Sequence, residues 1–302
     1  MEDDVRTPSK WVEYGLLLLA AIIYGGIFPI NRIASNVGWP SLAFTLMQSM
    51  IAAFVLLVVS FLQGHRIAIS RKTIISYLVI GGLVQGLPIG LLVHIAPHLD
   101  ASVLTLVLCL SPILTLLIGS ISTRSAPDKL TLAGMAFGIL GIALIAWPGS
   151  VLADGTALWF ALALLAPLMF SLANNCAAWL RPPAAPSIVM ATGTLLGASF
   201  IVFILLIISS APFLPPTLEF AQIFPLLLAS GINALFFLLF FLIIDLIGPA
   251  RFSLFNYLAV AAGILWSMIV FGETPAPMFW AATLLMLTGM HLALKTSSEA
   301  IA

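Results

Sequence analysis

The sequence of 302 residues is 62% hydrophobic and 7% charged, and its formal net charge is zero. A soluble domain carries about 25% charged residues to cover its surface, so this composition excludes a water-soluble globule and implies that lipid covers most of the chain. Zero net charge leaves no basic field for nucleic acid. The two cysteines, Cys109 and Cys176, lie in apolar segments and form neither a zinc pattern nor a disulfide framework.

Apolar stretches long enough for membrane helices recur along the whole chain. A membrane helix needs about 20 mostly apolar residues. The acidic start, Met-Glu-Asp-Asp, lacks the basic region of a secretory signal, so we expect the first stretch to be retained as a helix. The predicted fold is an all-α integral membrane protein with about ten transmembrane helices, at 12–34, 41–63, 74–95, 99–119, 130–147, 156–179, 186–210, 220–246, 250–271 and 277–294.

Lysine and arginine residues predict the orientation. If the spans alternate in direction, every lysine and arginine except Arg32 falls on the same side. By the positive-inside rule that side is cytoplasmic, which places both termini inside, in a multi-pass protein of the bacterial inner (plasma) membrane. Arg32 lies near the outer end of the first span. We expect it in an outer vestibule, where its charge draws substrate carboxylates; snorkelling to the interface is the alternative.

The two halves of the chain correspond to each other. At an offset of about 148 residues, Gly141 matches Gly289 and Gln85 matches Asn233. Because five is an odd number, a second five-helix unit must enter the membrane from the opposite side. The result is an inverted-topology repeat around a central cavity, an arrangement typical of secondary transporters. The two predicted repeats cover residues 1–150 and 151–302.

A motif near the C-terminus adds a family resemblance. Phe271-Gly-Glu-Thr-Pro is followed by Trp280 and by Gly289. Together with the two inverted halves, these residues resemble the drug/metabolite transporter superfamily in its EamA branch, and most of all its bacterial exporters of aromatic amino acids. The resemblance implies the fold, an export direction and amino-acid-like substrates. The first half departs from the family pattern, because Gly119-Ser-Ile-Ser-Thr-Arg stands where many relatives carry a Glu-containing turn.

Polar and aromatic side chains inside the predicted spans form the candidate substrate site. An unpaired amide in hydrocarbon costs several kcal/mol, so the polar groups should face the interior. They would either surround a cavity or make hydrogen bonds that only hold the bundle together. Helical spacing places Tyr24, Phe28 and Asn31 on one face. The candidate substrate-binding residues are Tyr24, Phe28, Asn31, Gln85, Cys109, Asn174, Asn175, Asn233, Phe237, Asn256 and Tyr257.

Two features of the spans point to movement. Gly82, Gly86 and Gly90 form a stripe in the third span, which also contains Pro88. Such a helix can bend during transport, although static packing of small residues is the alternative. Four polar residues fall in the cytoplasmic third of their spans, and we hypothesise that they line the inner gate: Asn174, Asn175, Asn256 and Tyr257.

The distribution of charge bears on how transport is driven. No acidic or basic residue lies clearly at the centre of a predicted span, and Glu13, Asp245 and Glu273 near span ends are interpreted as solvated interfacial charges. Proton-driven pumps usually need an ionisable relay within the membrane. We therefore favour a facilitator that exports mostly neutral amino acids, including aromatic ones, by alternating access. A proton-coupled drug or metabolite efflux protein is the alternative.

An intramembrane enzyme is the hypothesis with the least support in the sequence. No buried nucleophile–base pair and no acid/His cluster for a metal is visible in the sequence. We expect no cofactor and no metal. The expected partners are small-molecule amino acid substrates and the lipid bilayer, without nucleic acid, and the oligomeric state stays open.

Overall fold

The computed structural model describes residues 10–67, 69–108, 110–123, 129–146, 155–180, 185–252, 254–275 and 277–299. Within these ranges all regular structure is helical. The elements are α1 Lys10–Gly25, α2 Ile27–Asn36, α3 Ser41–Leu62, α4 Arg71–Gly81, a π-turn Gly82–Gly86, α5 Leu87–Ile95, α6 Ala101–Val107, α7 Leu110–Thr123, α8 Lys129–Ala146, α9 Ala157–Ala163, α10 Leu165–Leu180, α11 Ser187–Ser209, α12 Phe220–Phe252, α13 Leu254–Phe271 and α14 Pro277–Glu299.

Helices occupy every predicted stretch, in several cases as two consecutive pieces. By length and composition, six helical segments of the described chain are able to cross a membrane: Tyr14–Asn36, Ser41–Leu62, Arg71–Ile95, Ala157–Cys176, Ser187–Ser209 and Phe220–Phe240. Shorter apolar helical segments add Leu132–Gly141, Leu258–Phe271 and Pro277–Gly289.

The third predicted span is interrupted by the π-turn. Pro88 has no N–H, so it cannot donate to the carbonyl of Val84 as an α-helix requires. Just before it, the N–H of Leu87 reaches back five residues to the carbonyl of Gly82. Single π-turns inside α-helices are frequent at functional sites. The glycine and proline pattern that predicts a bending element therefore coincides with a local break in the α-helix.

The helices pack in pairs that relate the two halves. α3 packs on α11 and α8 packs on α14, so each pair joins equivalent helices of the two halves. α1 packs on α13, and α10 packs on α7. These two contacts are equivalent, because each joins the first span of one half to the fourth span of the other half. The core is therefore built from contacts between the halves, and neither half has a complete core of its own.

Glycines bring the paired helices into backbone contact. A Cβ added at Gly289 would lie 2.5 Å from the carbonyl oxygen of Gly134 and 3.0 Å from the nitrogen of Gly138. A Cβ added at its repeat counterpart Gly141 would collide with Met286. Small residues at such crossings replace the hydrophobic effect, which does not drive helices together in lipid. The matching residues Gly141 and Gly289 thus lie at the same crossing, one on α8 and the other on α14.

One end of the bundle, here called the arginine end, carries the connections after α2, α5, α11 and α13. The Trp39 indole N–H donates to the carbonyl of Gln222 at 2.8 Å, and the Gln222 side-chain amide donates to the carbonyl of Val37 at 3.2 Å. The ring of His98 stacks on Trp159 with centroids 3.8 Å apart. These contacts tie together the connections at the arginine end. The opposite end, here called the basic end, carries the connection between α3 and α4 with Arg66.

Candidate functional site

Three buried amides form a hydrogen-bonded chain between α3, the π-turn and α12. The Asn233 side-chain amide donates to the Gln48 oxygen at 2.8 Å, and the Gln85 amide donates to the Asn233 oxygen at 3.2 Å. Each of the three side chains is at most 1% exposed. The structure thus brings together the candidate residues Gln85 and Asn233. Gln48, whose amide is as polar and as deeply buried as that of Gln85, is a residue that sequence reasoning missed.

The amide chain always leaves one donor and one acceptor unused. Here the Gln48 nitrogen and the Gln85 oxygen are buried without a partner among the described residues. Rotating all three amides exchanges these roles but does not remove them, because the nitrogen and the oxygen of Asn233 each serve one neighbour. Buried polar groups in proteins are rarely left unpaired. The two free groups therefore favour a polar role beyond packing.

The bond between Gln85 and Asn233 lies where the two halves meet. The two residues are 148 positions apart, which is the offset at which the halves of the sequence correspond. Two equivalent residues touch each other only at the axis that relates the repeats. In inverted-repeat carriers this axis passes through the substrate region near the middle of the membrane.

An aromatic cluster surrounds Tyr24. Its ring stacks on Phe236 with centroids 4.0 Å apart, and Phe28 meets it edge-on at 6.2 Å. Phe255 lies 6.1 Å from Tyr24, and Phe237 packs against Phe236 at 5.6 Å. Tyr24, Phe28 and Phe237 are thus brought together as one aromatic region. Phe236 and Phe255 complete it, although the sequence pattern did not single them out.

Asn31 lies on α2 about one turn after Phe28, and its side chain is buried without a hydrogen bond to any described residue. It is 2% exposed, and neither its side-chain nitrogen nor its oxygen has a partner among the described residues. Leaving a buried donor or acceptor unpaired costs about 1–3 kcal/mol for each group. Asn31 is accordingly the polar residue that the observed conformation satisfies least.

Asn174 and Asn175 join α10 to α7. The Asn175 amide donates to the carbonyl of Thr115 at 3.2 Å, and the Asn174 amide donates to the Thr115 hydroxyl at 3.3 Å. The Ser171 hydroxyl donates to the carbonyl of Ser111 at 2.8 Å on the same seam. The structure therefore separates this polar seam from the amide chain. Of the other candidates, Cys109 lies outside the described residues, as do the side chains of Asn256 and Tyr257.

A charged cluster lies at the arginine end. Arg32 makes a direct ion pair with Glu273, and Asp100 lies 3.6 Å from its guanidinium. The ring of Phe271 packs against the guanidinium at 4.6 Å. The interpretation of Glu273 as a solvated interfacial charge is wrong: its side chain is only 12% exposed, because Arg32 replaces the water around it. Arg32, which we expected to draw substrate carboxylates in an outer vestibule, is thus held in an ion-paired cluster at this end.

The comparisons with known proteins agree with this architecture. The model of the EamA-like transporter family matches residues 11–147 and again residues 157–295. The chain belongs to the EamA-like transporter family. It therefore contains two copies of the family repeat, and it is a membrane transporter of small molecules rather than an enzyme, since that is what this family comprises.

A solved structure has the same fold. The structure, titled "Crystal structure of protein", is 16% identical in sequence, covers 93% of this chain and 97% of its own, and superposes with a TM-score of 0.61. No curated protein matches the chain in sequence. Together with the apolar helices, the family match makes this a multi-pass membrane protein.

Proposed function

We propose that the protein exports amino acids, aromatic and other mostly neutral ones, from the bacterial cytoplasm by alternating access, as a facilitator. The observation that carries this proposal is the buried amide chain of Gln48, Asn233 and Gln85 at the axis between the repeats. Uncharged amides offer a donor and an acceptor without a fixed charge. They suit a substrate whose polar head is neutral overall.

The aromatic cluster supports the substrate class. The rings of Tyr24, Phe236 and Phe255 lie within 6.1 Å of one another, centroid to centroid. Aromatic pairs stack in offset or edge-on geometry and gain about 0.5–1.5 kcal/mol beyond simple burial. A cluster of this kind can pack against an apolar or aromatic side chain of a substrate, and Phe236 lies about one turn from Asn233 on α12. The resemblance to bacterial exporters of aromatic amino acids points to the same substrates.

An asymmetry in helix packing supports alternating access. At the arginine end α2 contacts α5 and α6. In the second half, α10 is the counterpart of α2, so the equivalent contacts at the basic end would join α10 to α12 and α10 to α13. Neither pair is among the closely packed helices of the described chain. This difference favours a state that is closed at the arginine end and open at the basic end. In this proposal Asn174 and Asn175 line the inner gate at the contact between α10 and α7, where both hydrogen-bond to Thr115.

Proton-coupled efflux is the second candidate function. Its supporting observation is the ionisable cluster of Arg32, Glu273 and Asp100, whose charges sit close enough to exchange partners. The cluster lies at the end of the bundle and not beside the amide chain. A proton relay would have to extend from it to the substrate, and the described interior offers no ionisable residue hydrogen-bonded to the amides.

Flux through the purified protein in vesicles tests the proposal. We expect radiolabelled L-phenylalanine to cross the membrane chemically unchanged, at the same rate with and without an imposed proton gradient. A gradient-dependent rate supports efflux coupled to protons instead. Gln48→Leu is expected to lower the flux about tenfold, because it leaves Asn233 with an unpaired donor. Gln63→Leu, at the exposed end of the same helix, is the matched control and should transport normally.

Cysteine labelling tests the proposed orientation, with ten spans and both termini inside. Thr217 lies exposed at the arginine end and Ser70 lies exposed at the basic end. In intact cells, a membrane-impermeant maleimide is expected to label Thr217→Cys and to spare Ser70→Cys until the cells are opened. The expectation follows from the positive-inside rule, since the predicted alternation of the spans places every lysine and arginine except Arg32 on the side of Ser70. The reverse labelling pattern contradicts the orientation.

A further inference from the structure

The two carboxylates around Arg32 are held unequally. Glu273 makes a direct hydrogen bond with the guanidinium and its side chain is 12% exposed. Asp100 lies 3.6 Å away with a side chain that is 53% exposed, and this distance exceeds that of a hydrogen bond. Glu273 is therefore the structural partner of Arg32. Asp100 is a looser partner of Arg32, and its exposed carboxylate can also reach another ligand.

Arg32 makes a direct ion pair with Glu273 and a looser one with Asp100. Arg32 and Glu273 neutralise each other, and Asp100 keeps a negative charge that faces solvent. The guanidinium has five N–H donors, of which Glu273 occupies only a part. A zwitterion that enters between Arg32 and Asp100 would separate this looser pair and satisfy both groups, with its carboxylate on the Arg32 donors and its ammonium on Asp100.

The guanidinium is fixed before any ligand arrives. Phe271 covers its face at 4.6 Å, a favourable cation–π distance, and Glu273 holds one edge. A side chain that is already ordered loses little freedom on binding, which increases affinity. Arginine in a fixed position also binds carboxylates through two parallel hydrogen bonds.

We propose that Arg32 and Asp100 form a binding site for the zwitterionic head of an α-amino acid at the arginine end. The substrate carboxylate binds the Arg32 guanidinium, and the substrate ammonium binds the Asp100 carboxylate. Glu273 and Phe271 are positioning residues that orient Arg32. The inference rests on the proposed function and deepens it, because it names the two charges by which the substrate is recognised at this end.

The site predicts a ranking of three probes that share one side chain. L-Phenylalanine carries both charges and satisfies both residues. N-acetyl-L-phenylalanine keeps the carboxylate but loses the ammonium, so it leaves Asp100 unpaired beside a second negative charge. L-Phenylalanine methyl ester keeps the ammonium and loses the carboxylate. We expect the unmodified amino acid to bind the wild-type protein most tightly.

Competition binding on the purified protein with radiolabelled L-phenylalanine tests the site. Asp100→Asn is expected to weaken the binding of L-phenylalanine about tenfold, as the loss of a charge-assisted hydrogen bond does, and to improve the relative binding of the N-acetyl compound. Arg32→Lys should instead weaken the carboxylate-bearing probes more than the methyl ester. Opposite shifts from the two variants cannot arise from a general loss of folding.

Glu219→Gln is the matched control, since it removes the charge of an exposed acid in the connection between α11 and α12. It should leave the ranking of the probes unchanged. If Asp100→Asn also leaves it unchanged, the zwitterion site is refuted while amino acid export stands. Absence of L-phenylalanine binding to the wild-type protein refutes both. Binding that depends on Asp100 without any flux in vesicles refutes the export function alone.

Discussion

Glu273→Gln is expected to open the arginine end and to shift the protein away from its closed conformation. Glu273 and Arg32 are 241 residues apart and join the last quarter of the chain to the first span. A hydrogen bond between charged groups contributes about 1.5–3 kcal/mol. Losing about 2 kcal/mol changes the ratio of closed to open molecules roughly 30-fold. Few single substitutions outside the substrate site should change transport as much.

Accessibility of a buried position reports this shift. Ala34 is fully buried in α2 near the arginine end, and Ala34→Cys is a small change. In a background with Cys109→Ala and Cys176→Ala, the wild-type cluster should protect this cysteine from an impermeant maleimide. Glu273→Gln should make it react many times faster, at roughly the 30-fold set by the free-energy change.

Asp100→Asn is the control for the ion-pair variant. It removes a carboxylate from the same cluster but leaves the pair between Arg32 and Glu273 intact, so it should not accelerate labelling at Ala34→Cys. Equal rates in the wild-type protein and in Glu273→Gln would mean that the ion pair does not hold the arginine end closed. Acceleration by both variants would assign closure to the net charge of the cluster and not to the pair.

Gly81→Ala is expected to destabilise the fold by about 3 kcal/mol, the upper range for overpacking a tight contact. A Cβ at Gly81 would collide with the carbonyl of Thr194 and lie 2.6 Å from the nitrogen of Ala198. A Cβ at Gly197 would collide with the carbonyl of Tyr77 on the same crossing. Backbone atoms cannot rotate away, so α4 and α11 would have to separate.

Thermal unfolding in detergent measures the effect of the glycine variant. The expected loss corresponds to a Tm lower by about 5–10 °C. Gly231→Ala is the matched control, because a Cβ there meets nothing within 4 Å. Alanine has a higher helix propensity than glycine, so Gly231→Ala should keep or raise the Tm. An unchanged Tm for Gly81→Ala would contradict the close crossing of the two helices.

The positions of the helices follow from hydropathy, whereas the contacts at the arginine end do not. Helix α3 spans Ser41–Leu62 against a predicted 41–63, because lipid solvation requires a continuous apolar stretch and the chain provides it. Arg32 and Glu273 each sit near the end of a span, where a charge can be solvated. Only the folded chain brings them together. Because the sequence around Glu273 contains no sign of Arg32, it could not predict that Glu273 is held in an ion pair.

The candidate site was predictable where the repeats gave a second signal. Gln85 and Asn233 stood out because each occupies the position of the other in its half of the chain. Gln48 has the same chemistry, but its counterpart at the same offset is Leu196, so the repeat gave no reason to select it. The seam between Asn175 and Thr115 joins two different helices, and sequence spacing within one helix does not report such a contact.

The hydrogen bond between Gln85 and Asn233 has a consequence for the two states of an alternating carrier. If the halves exchange conformations, Gln85 and Asn233 exchange roles, so the bond between them is kept with donor and acceptor reversed. It can therefore stay formed while both ends of the helix bundle move. Gln48 removes this equivalence, since it binds Asn233 whereas its counterpart Leu196 has no polar group with which to bind Gln85. In the proposed alternating-access cycle, the inward and outward states would therefore differ in free energy even where the repeats are otherwise alike.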